Sequence, residues 1–332
     1  MHAITVNDTA PYPCAEDDTI LRAGLRAGLG LPYECNAGSC GTCRVELVRG
    51  EIDSIRPDAP GLTDMDRARN RVLACQARPR ADCDVKVRLR PENVPRYRPV
   101  RFEATLVRTR DLTHDMREFS FAAKDAPRFR AGQYALFYLP GLDAPRTYSM
   151  SNADEGSGEW QFIVRRVPGG VGTGTLFDAV AVGSAITLDG PYGLACRRED
   201  ATRDLVCVAG GSGLAPILSI VREAAHATGE PPRRIDVFFG ARTAGDICGR
   251  EELAALPGFG ERLHFEAVLS EPDGPWEGFT GFVHERARVF IGDRWKDLEY
   301  HFAGPPPMVE AVQRMLMDAR VPFPQVHFDR FY

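Results

Sequence analysis

The sequence lacks any apolar run of the roughly 20 residues that a membrane-spanning helix needs. Its opening, Met1-His2-Ala3-Ile4-Thr5-Val6-Asn7-Asp8, has neither the basic start nor the apolar stretch of a secretory signal. A net charge of −5 over 332 residues gives no electrostatic footprint for nucleic acid or for an anionic membrane surface. Internal repeats and low-complexity stretches are absent. None of the seven histidines stands in a spaced metal-ligand pair, and no Ser-His-Asp pattern suggests a nucleophile. Surface or packing roles are expected for His2, His114, His226, His264, His284, His301 and His327. What remains is a globular chain with 44% hydrophobic residues, long enough for two or three cores and expected to be cytoplasmic and monomeric.

Cysteine is not scarce, and its placement is informative. Of nine cysteines, Cys35, Cys40 and Cys43 sit in one loop with C-x4-C-x2-C spacing, and Cys75 follows in Leu73-Ala74-Cys75-Gln76. That is the ligand spacing of plant-type [2Fe–2S] ferredoxins. Gly38, Ser39, Gly41 and Thr42 keep the loop free of bulk, so that its N–H groups can turn toward a cluster. Zinc is the competing reading, although zinc sites usually show two short pairs and this sequence has one C-x2-C. The odd five, Cys14, Cys83, Cys196, Cys207 and Cys248, suit a reducing compartment better than a disulfide framework.

Taken in order, residues 1–93 read as a small mixed domain. Strands are expected at 4–6, 43–48 and 85–89, and a helix from about Asp18. Acidic and basic residues nearly cancel there, so charge steering is not an evident feature. Residues 94–100, rich in proline and charge, read as a linker. From 101 to 199 short alternating strands at 102–107, 118–121, 133–138, 160–164 and 186–188 suggest an antiparallel barrel. One strand carries Arg146-Thr147-Tyr148-Ser149: a guanidinium for phosphate, an aromatic ring for a flat cofactor, and hydroxyls. Gly170-Val171-Gly172-Thr173 opens a helix whose free N–H groups suit phosphate. Each of these two motifs is also compatible with an ordinary strand or a glycine turn. From 200 to 332 strands and helices alternate, which implies a doubly wound parallel sheet. The buried strand 205–209 runs into Gly210-Gly211-Ser212-Gly213, with Pro216 in the first turn of a helix. Strand, glycine turn and helix make a dinucleotide cradle. Arg242 and Asp246 follow the second strand of this unit, where an arginine suits a 2′-phosphate and an acid suits a ribose hydroxyl.

In this order the pieces resemble the single-chain reductases of bacterial multicomponent oxygenases, most of all those of toluene monooxygenase systems. Pro57-Asp58-Ala59-Pro60-Gly61-Leu62 and the ending His327-Phe328-Asp329-Arg330-Phe331 add to the likeness. The resemblance covers essentially the whole chain. It implies a β-grasp ferredoxin domain, an FAD-binding β-barrel and an NAD-binding α/β domain. It also implies that Arg146 holds the FAD pyrophosphate, Tyr148 lies against the isoalloxazine and Ser149 bonds near its N5. Gly304, Pro305 and Pro306 resemble the element beside the nicotinamide, with Ala303 where the family usually has cysteine, so no thiol contribution is expected there. The terminal Phe331-Tyr332 is expected either to cover the flavin, with Tyr332 against it, or to pack the C-terminal strand against the barrel. The implied activity is transfer of a hydride from NADH to FAD and of single electrons through the [2Fe–2S] cluster. The expected acceptor is a Rieske-type ferredoxin or a terminal oxygenase in aromatic-hydrocarbon breakdown. Such chemistry belongs to the cofactors, so no catalytic side chain is expected. The rival readings are a metal-holding interaction scaffold without turnover, and a reductase whose acceptor is a haem protein.

Overall fold

The computed structural model describes residues 1–198, 201–227 and 233–331. Its first part contains, in chain order, β1 (His2–Val6), β2 (Tyr12–Cys14), α1 (Ile20–Arg26), β3 (Arg44–Arg49), β4 (Ile52–Ser54), α2 (Asp64–Ala68), β5 (Arg71–Leu73), β6 (Ala77–Pro79) and β7 (Cys83–Lys86). Five of these strands form a mixed sheet in the order β2-β1-β7-β3-β5, with β1 parallel to β7. A separate ribbon pairs β4 with β6. The Thr19 hydroxyl caps α1 by accepting from the Arg22 N–H at 3.3 Å. The helix buries Ile20, Leu21 and Leu25 in the same apolar cluster as the sheet, which gives a β-grasp domain. The strand expected at 85–89 ends at Lys86 for a local reason. Both backbone groups of Val87 bond the side chain of Asn7, at 3.0 and 2.7 Å, in place of a neighbouring strand. The segment read as a linker is preceded by anchors: Arg90 N–H donates to the Gly30 carbonyl and the Asn93 amide to that of Leu31.

The second part comprises β8 (Val100–Asp111), β9 (Met116–Ala122), β10 (Tyr134–Tyr138), β11 (Arg146–Ser149), β12 (Glu159–Arg165), α3 (Val171–Asp178) and β13 (Ala185–Tyr192). Its antiparallel sheet runs β11-β10-β13-β8-β9-β12, and a bridge between Met150 and Phe162 brings the two edges together as a nearly closed barrel. Phe121, Phe137 and Phe162 meet edge to face in its interior, the closest pair with centroids 4.7 Å apart.

The third part contains β14 (Asp204–Gly210), α4 (Leu214–Ala225), β15 (Ile235–Ala241), α5 (Arg250–Ala254), β16 (Leu263–Leu269), α6 (Val283–Ile291), β17 (Leu298–Gly304), α7 (Pro306–Asp318) and β18 (Val326–Arg330). Its sheet is parallel throughout, in the order β16-β15-β14-β17-β18. One face packs on α4 and α5, the other on α6 and α7. Two of the apolar cores run across the junctions between sheets. Tyr134, Leu136 and Tyr192 of the barrel belong to the ferredoxin core, while Met116, Ala131 and Ile163 join the core under α4. The three parts are therefore held against one another by buried apolar surface.

Candidate electron-transfer site

The cysteine loop is shaped by backbone that side chains would obstruct. Gly38 and Gly41 have φ of +83° and +75°, and a Cβ on Gly41 would lie 2.6 Å from the Gly61 carbonyl oxygen. N–H groups of Ala37 and Cys40 point at the Cys35 sulfur, and that of Thr42 at the Cys40 sulfur, each at 3.4 Å. The Gln76 amide donates to the Cys75 sulfur at 3.4 Å. The thiols fall into two pairs. Hydrogen bonding to Cys40, together with N–H groups of the loop and against the effect of burial, brings the Cys35 thiol down to about 7. Cys75 is likewise lowered by its bond to Cys43. Two irons each holding two thiolates match this pairing. A single tetrahedral zinc would draw four sulfurs to about 2.3 Å from one point. Among the described residues, no three of these sulfurs lie within 4.8 Å of one another. Asn36 adds an orphan: its Nδ2 is buried beside Cys35 and finds no acceptor in the protein. A cluster sulfide supplies the kind of acceptor this donor lacks, so the loop fits a [2Fe–2S] group.

From this loop a direct line of contacts leads into the barrel. The Tyr134 hydroxyl donates to the Glu34 carbonyl at 2.5 Å, and the Gly193 N–H donates to the Tyr33 hydroxyl at 3.1 Å. Tyr134 pairs in register with Ser149, and Ala135 with Tyr148. The last residue of the Arg146–Ser149 motif thus lies across one ladder step from a side chain bonded to the neighbour of Cys35. Tyr148 packs edge-on against Phe137 at 4.8 Å, and burial pushes its hydroxyl up to about 12. Thr147 is half-buried and Ser149 buried. Arg146 passes over the start of α3, where a Cβ on Gly172 would lie 2.9 Å from its Cγ. Its Nη1 donates to the Ala144 carbonyl at 2.8 Å. A guanidinium laid on a helix start that is capped by Gly170 and opened by Val171 has the chemistry that suits a phosphate. The Thr173 hydroxyl is occupied in closing the preceding turn, accepting from the Val167 N–H at 3.1 Å and donating to the Gly170 carbonyl at 3.3 Å. Any contribution of Thr173 to a phosphate therefore comes from its N–H.

The nucleotide motif lies at the carboxyl ends of the parallel strands, where such sheets bind ligands. Gly210 ends β14, Gly211-Ser212-Gly213 form a turn, and Pro216 lies in the first turn of α4. A Cβ on Gly213 would lie 2.1 Å from the Ala303 carbonyl oxygen. Gly304, with φ of +151°, sits close against Gly210, and Pro305 and Pro306 lead into α7. A cavity of about 230 Å³ opens here, bounded by Gly210, Gly211, Arg242, Asp246, Pro305 and Met308. The sequence reading missed part of its wall: Asp115 and Arg165, paired at 2.7 Å, Ser270 and the exposed Phe282. They come from the barrel and from late loops, so no local motif announces them. Arg242 and Asp246, expected as separate ribose or phosphate contacts, face each other at 3.3 Å. Burial raises Asp246, yet the Thr243 N–H and Arg242 together keep it below the ordinary carboxylate range. Tyr332 lies outside the described residues.

Three family descriptions match the chain: the 2Fe-2S iron-sulfur cluster binding domain over residues 4–80, the oxidoreductase FAD-binding domain over 103–196, and the oxidoreductase NAD-binding domain over 207–314. The ferredoxin–NAD(P)(+) reductase CarAd of Metapseudomonas resinovorans is 35% identical, with 100% of each chain covered. The ferredoxin–NAD(+) reductase component of the Xanthobacter autotrophicus alkene monooxygenase system is 37% identical, covering 98% of this chain and 99% of that one. The chain belongs to the ferredoxin–NAD(P)⁺ reductases of oxygenase systems. A solved structure of the ferredoxin reductase in carbazole 1,9a-dioxygenase agrees with the reductase fold at a TM-score of 0.92 and 34% identity, covering 100% of this chain and 98% of that one. The Amycolatopsis cytochrome P450 reductase GcoB gives 0.87 at 31% identity, with 100% and 99% covered. The reductase is an FAD, NAD and [2Fe–2S] oxidoreductase that passes electrons to an oxygenase or ferredoxin partner. Among the described residues no helix is long and apolar enough to cross a membrane.

Proposed function

We propose that Cys35 and Cys40 hold one iron and Cys43 and Cys75 the other. In the same reading Arg146 and the start of α3 hold the FAD pyrophosphate. Tyr148 and Ser149 position the isoalloxazine, and Gly210–Gly213 with Gly304–Pro306 receive the nicotinamide nucleotide. When bound, these groups supply hydride acceptance, its splitting into single electrons, and delivery. The protein orients them. The observation that carries the reading is the Tyr134–Ser149 register, which sets the proposed flavin edge and the cysteine loop on opposite sides of one residue.

The nucleotide is NADH, because the Asp246 carboxylate already occupies the Arg242 guanidinium that a 2′-phosphate needs. The acceptor is a Rieske-type ferredoxin or a terminal oxygenase acting on an aromatic hydrocarbon, as in the xylene/toluene monooxygenase electron transfer component of Pseudomonas putida, 35% identical over 95% of this chain. The chain is proposed to work as a monomer. A haem protein is the second reading for the acceptor, favoured by the GcoB likeness. The test is NADH-driven reduction of cytochrome c and of ferricyanide. Cys40→Ser is expected to lose most cytochrome c reduction and keep ferricyanide reduction through the flavin. Equal loss of both would make the cluster a structural element.

A further inference from the structure

The ferredoxin domain is nearly neutral as a whole, but its charge is not evenly spread. A cleft of about 700 Å³ opens beside β3, the β4–β6 ribbon and the segment leading into α2. Five arginines, Arg49, Arg56, Arg67, Arg71 and Arg80, border it, against two carboxylates, Glu51 and Asp53. Some of these arginines are partly spoken for: Arg80 pairs with Asp53 at 2.6 Å, Arg71 with Asp66 at 3.2 Å, and Arg49 with Asp84 at 2.7 Å. Arg56 holds Asp58 only loosely at 3.6 Å. The exposed Arg67 donates to the Pro57 carbonyl and has no carboxylate partner among the described residues. An apolar side chain stands out beside the arginines, Val48 at 51% exposure. Arginine set beside exposed apolar groups characterises protein-binding surfaces.

The cleft reaches toward the cluster loop. Gln76 both borders it and donates to the Cys75 sulfur at 3.4 Å. The barrel, by contrast, touches the loop through Glu34, next to Cys35. One thiolate pair is thus approached from the flavin side and the other from the cleft.

We infer that this arginine-bordered cleft is where the electron acceptor docks, and that the acceptor presents a carboxylate-rich face. The inference rests on the proposed role of the cluster as the exit point. Opposite charges would speed encounter and set orientation, so salt should slow the reaction. A protein seated there lies one glutamine side chain from a cluster ligand.

The experiment uses the holoenzyme with NADH and cytochrome b5, an acidic haem protein, as acceptor. Cytochrome c, a basic one, serves as contrast, and ferricyanide as readout of the flavin. Arg67→Glu and the double variant Arg56→Glu/Arg67→Glu both alter exposed side chains. The double variant should lower the bimolecular rate with cytochrome b5 roughly tenfold at low ionic strength. The difference should close as salt rises, while cytochrome c is not slowed, and ferricyanide reduction and the visible spectrum of the cluster are unchanged. Arg67→Lys should restore the salt dependence that Arg67→Glu removes. Unchanged cytochrome b5 kinetics in a double variant whose cluster still bleaches with NADH would overturn the docking site. A wild-type cluster that NADH does not bleach would remove the functional reading itself, and the docking site with it.

Discussion

Gly213 has no unusual backbone angle to betray it, yet it has no room for a side chain. The Ala303 carbonyl carbon lies 2.4 Å and its oxygen 2.1 Å from where a Cβ would go, and both are backbone atoms that cannot swing away. Gly213→Ala must push α4 from β17 at the point where the nucleotide is expected to rest. We expect a loss of about 1–3 kcal/mol in unfolding free energy and a raised KM for NADH. Chemical denaturation and steady-state kinetics check the two parts. By contrast, Gly174 inside α3 meets nothing within 4 Å of its ideal Cβ position beyond the helix's own backbone, so Gly174→Ala should raise stability by up to about 1 kcal/mol. The two glycines look alike in sequence; only the neighbouring strand separates them.

At the scale of elements, β17 and β18 carry a row of ionisable groups on one buried face. Glu299 accepts from the ring of His327 at 2.7 Å, His301 stacks on His327 at 4.7 Å, and Asp329 follows two residues on. Arg203 lies 3.6 Å from Glu299. The histidines sit in register on adjacent strands but far apart in the chain, so spacing rules did not pair them. The rings are inclined by only 26°, and both nitrogens of His301 are buried without a hydrogen-bond partner among the described residues. Burial first, then His327 and the nearby Arg198, Arg197 and Arg233, hold His301 well below its ordinary value. Burial first, then Glu34, push the Asp329 carboxyl up to about 7.

The signs oppose one another. A histidine lowered in the folded state is a source of instability as pH falls below about 6.5, because only the unfolded chain then takes the proton. A carboxyl raised in the folded state favours folding at low pH, and that advantage is lost as pH rises from about 3.8 toward 7. Between those limits the two slopes offset each other. Asp329→Asn should therefore stabilise the reductase above pH 7 and expose a fall in Tm as pH drops below about 6.5. Replacing His301 as well, with leucine, should flatten that fall. Thermal melts from pH 5 to 8 decide it, and a single variant with the wild-type pH profile would refute the assignment.

For the whole molecule, the joint between ferredoxin domain and barrel has a charged centre. Arg26 of α1 bonds Asp18 and, at 2.6 Å, the fully buried Asp189 of β13, which also accepts from Tyr192 at 2.9 Å. Arg22, one turn earlier and buried, reaches Asn36 of the cysteine loop at 3.2 Å and Tyr138 of the barrel at 3.4 Å. Arg101 stacks over Tyr138 and pairs with Asp17 at 2.5 Å. Arg26→Ala leaves the Asp189 charge buried without its main partner, a change that costs about 3–5 kcal/mol in comparable settings. The loss falls on the joint, so cytochrome c reduction should drop more than ferricyanide reduction. Unfolding should broaden or split in calorimetry. A variant that lowers both activities in proportion would place the defect in the flavin site instead.

The motifs whose parts lie close together in the chain were legible in the sequence. The cysteine spacing, the Arg146–Ser149 strand, the glycine-opened helices and the alternation of strand and helix are local patterns, each set by a short-range need of backbone or ligand. They were enough to predict the β-grasp, barrel and parallel-sheet architecture. Arg22 and Arg26, one helical turn apart on an otherwise apolar helix, were a visible hint of a buried joint that sequence reasoning passed over. What only the tertiary structure decided joins residues distant in the chain. It pairs the thiols two by two, sets Tyr134 opposite Ser149, couples Arg242 to Asp246 and gathers five arginines around one cleft. Near-neutral composition hid that cleft, because a sum over residues carries no information about where their charges stand in space.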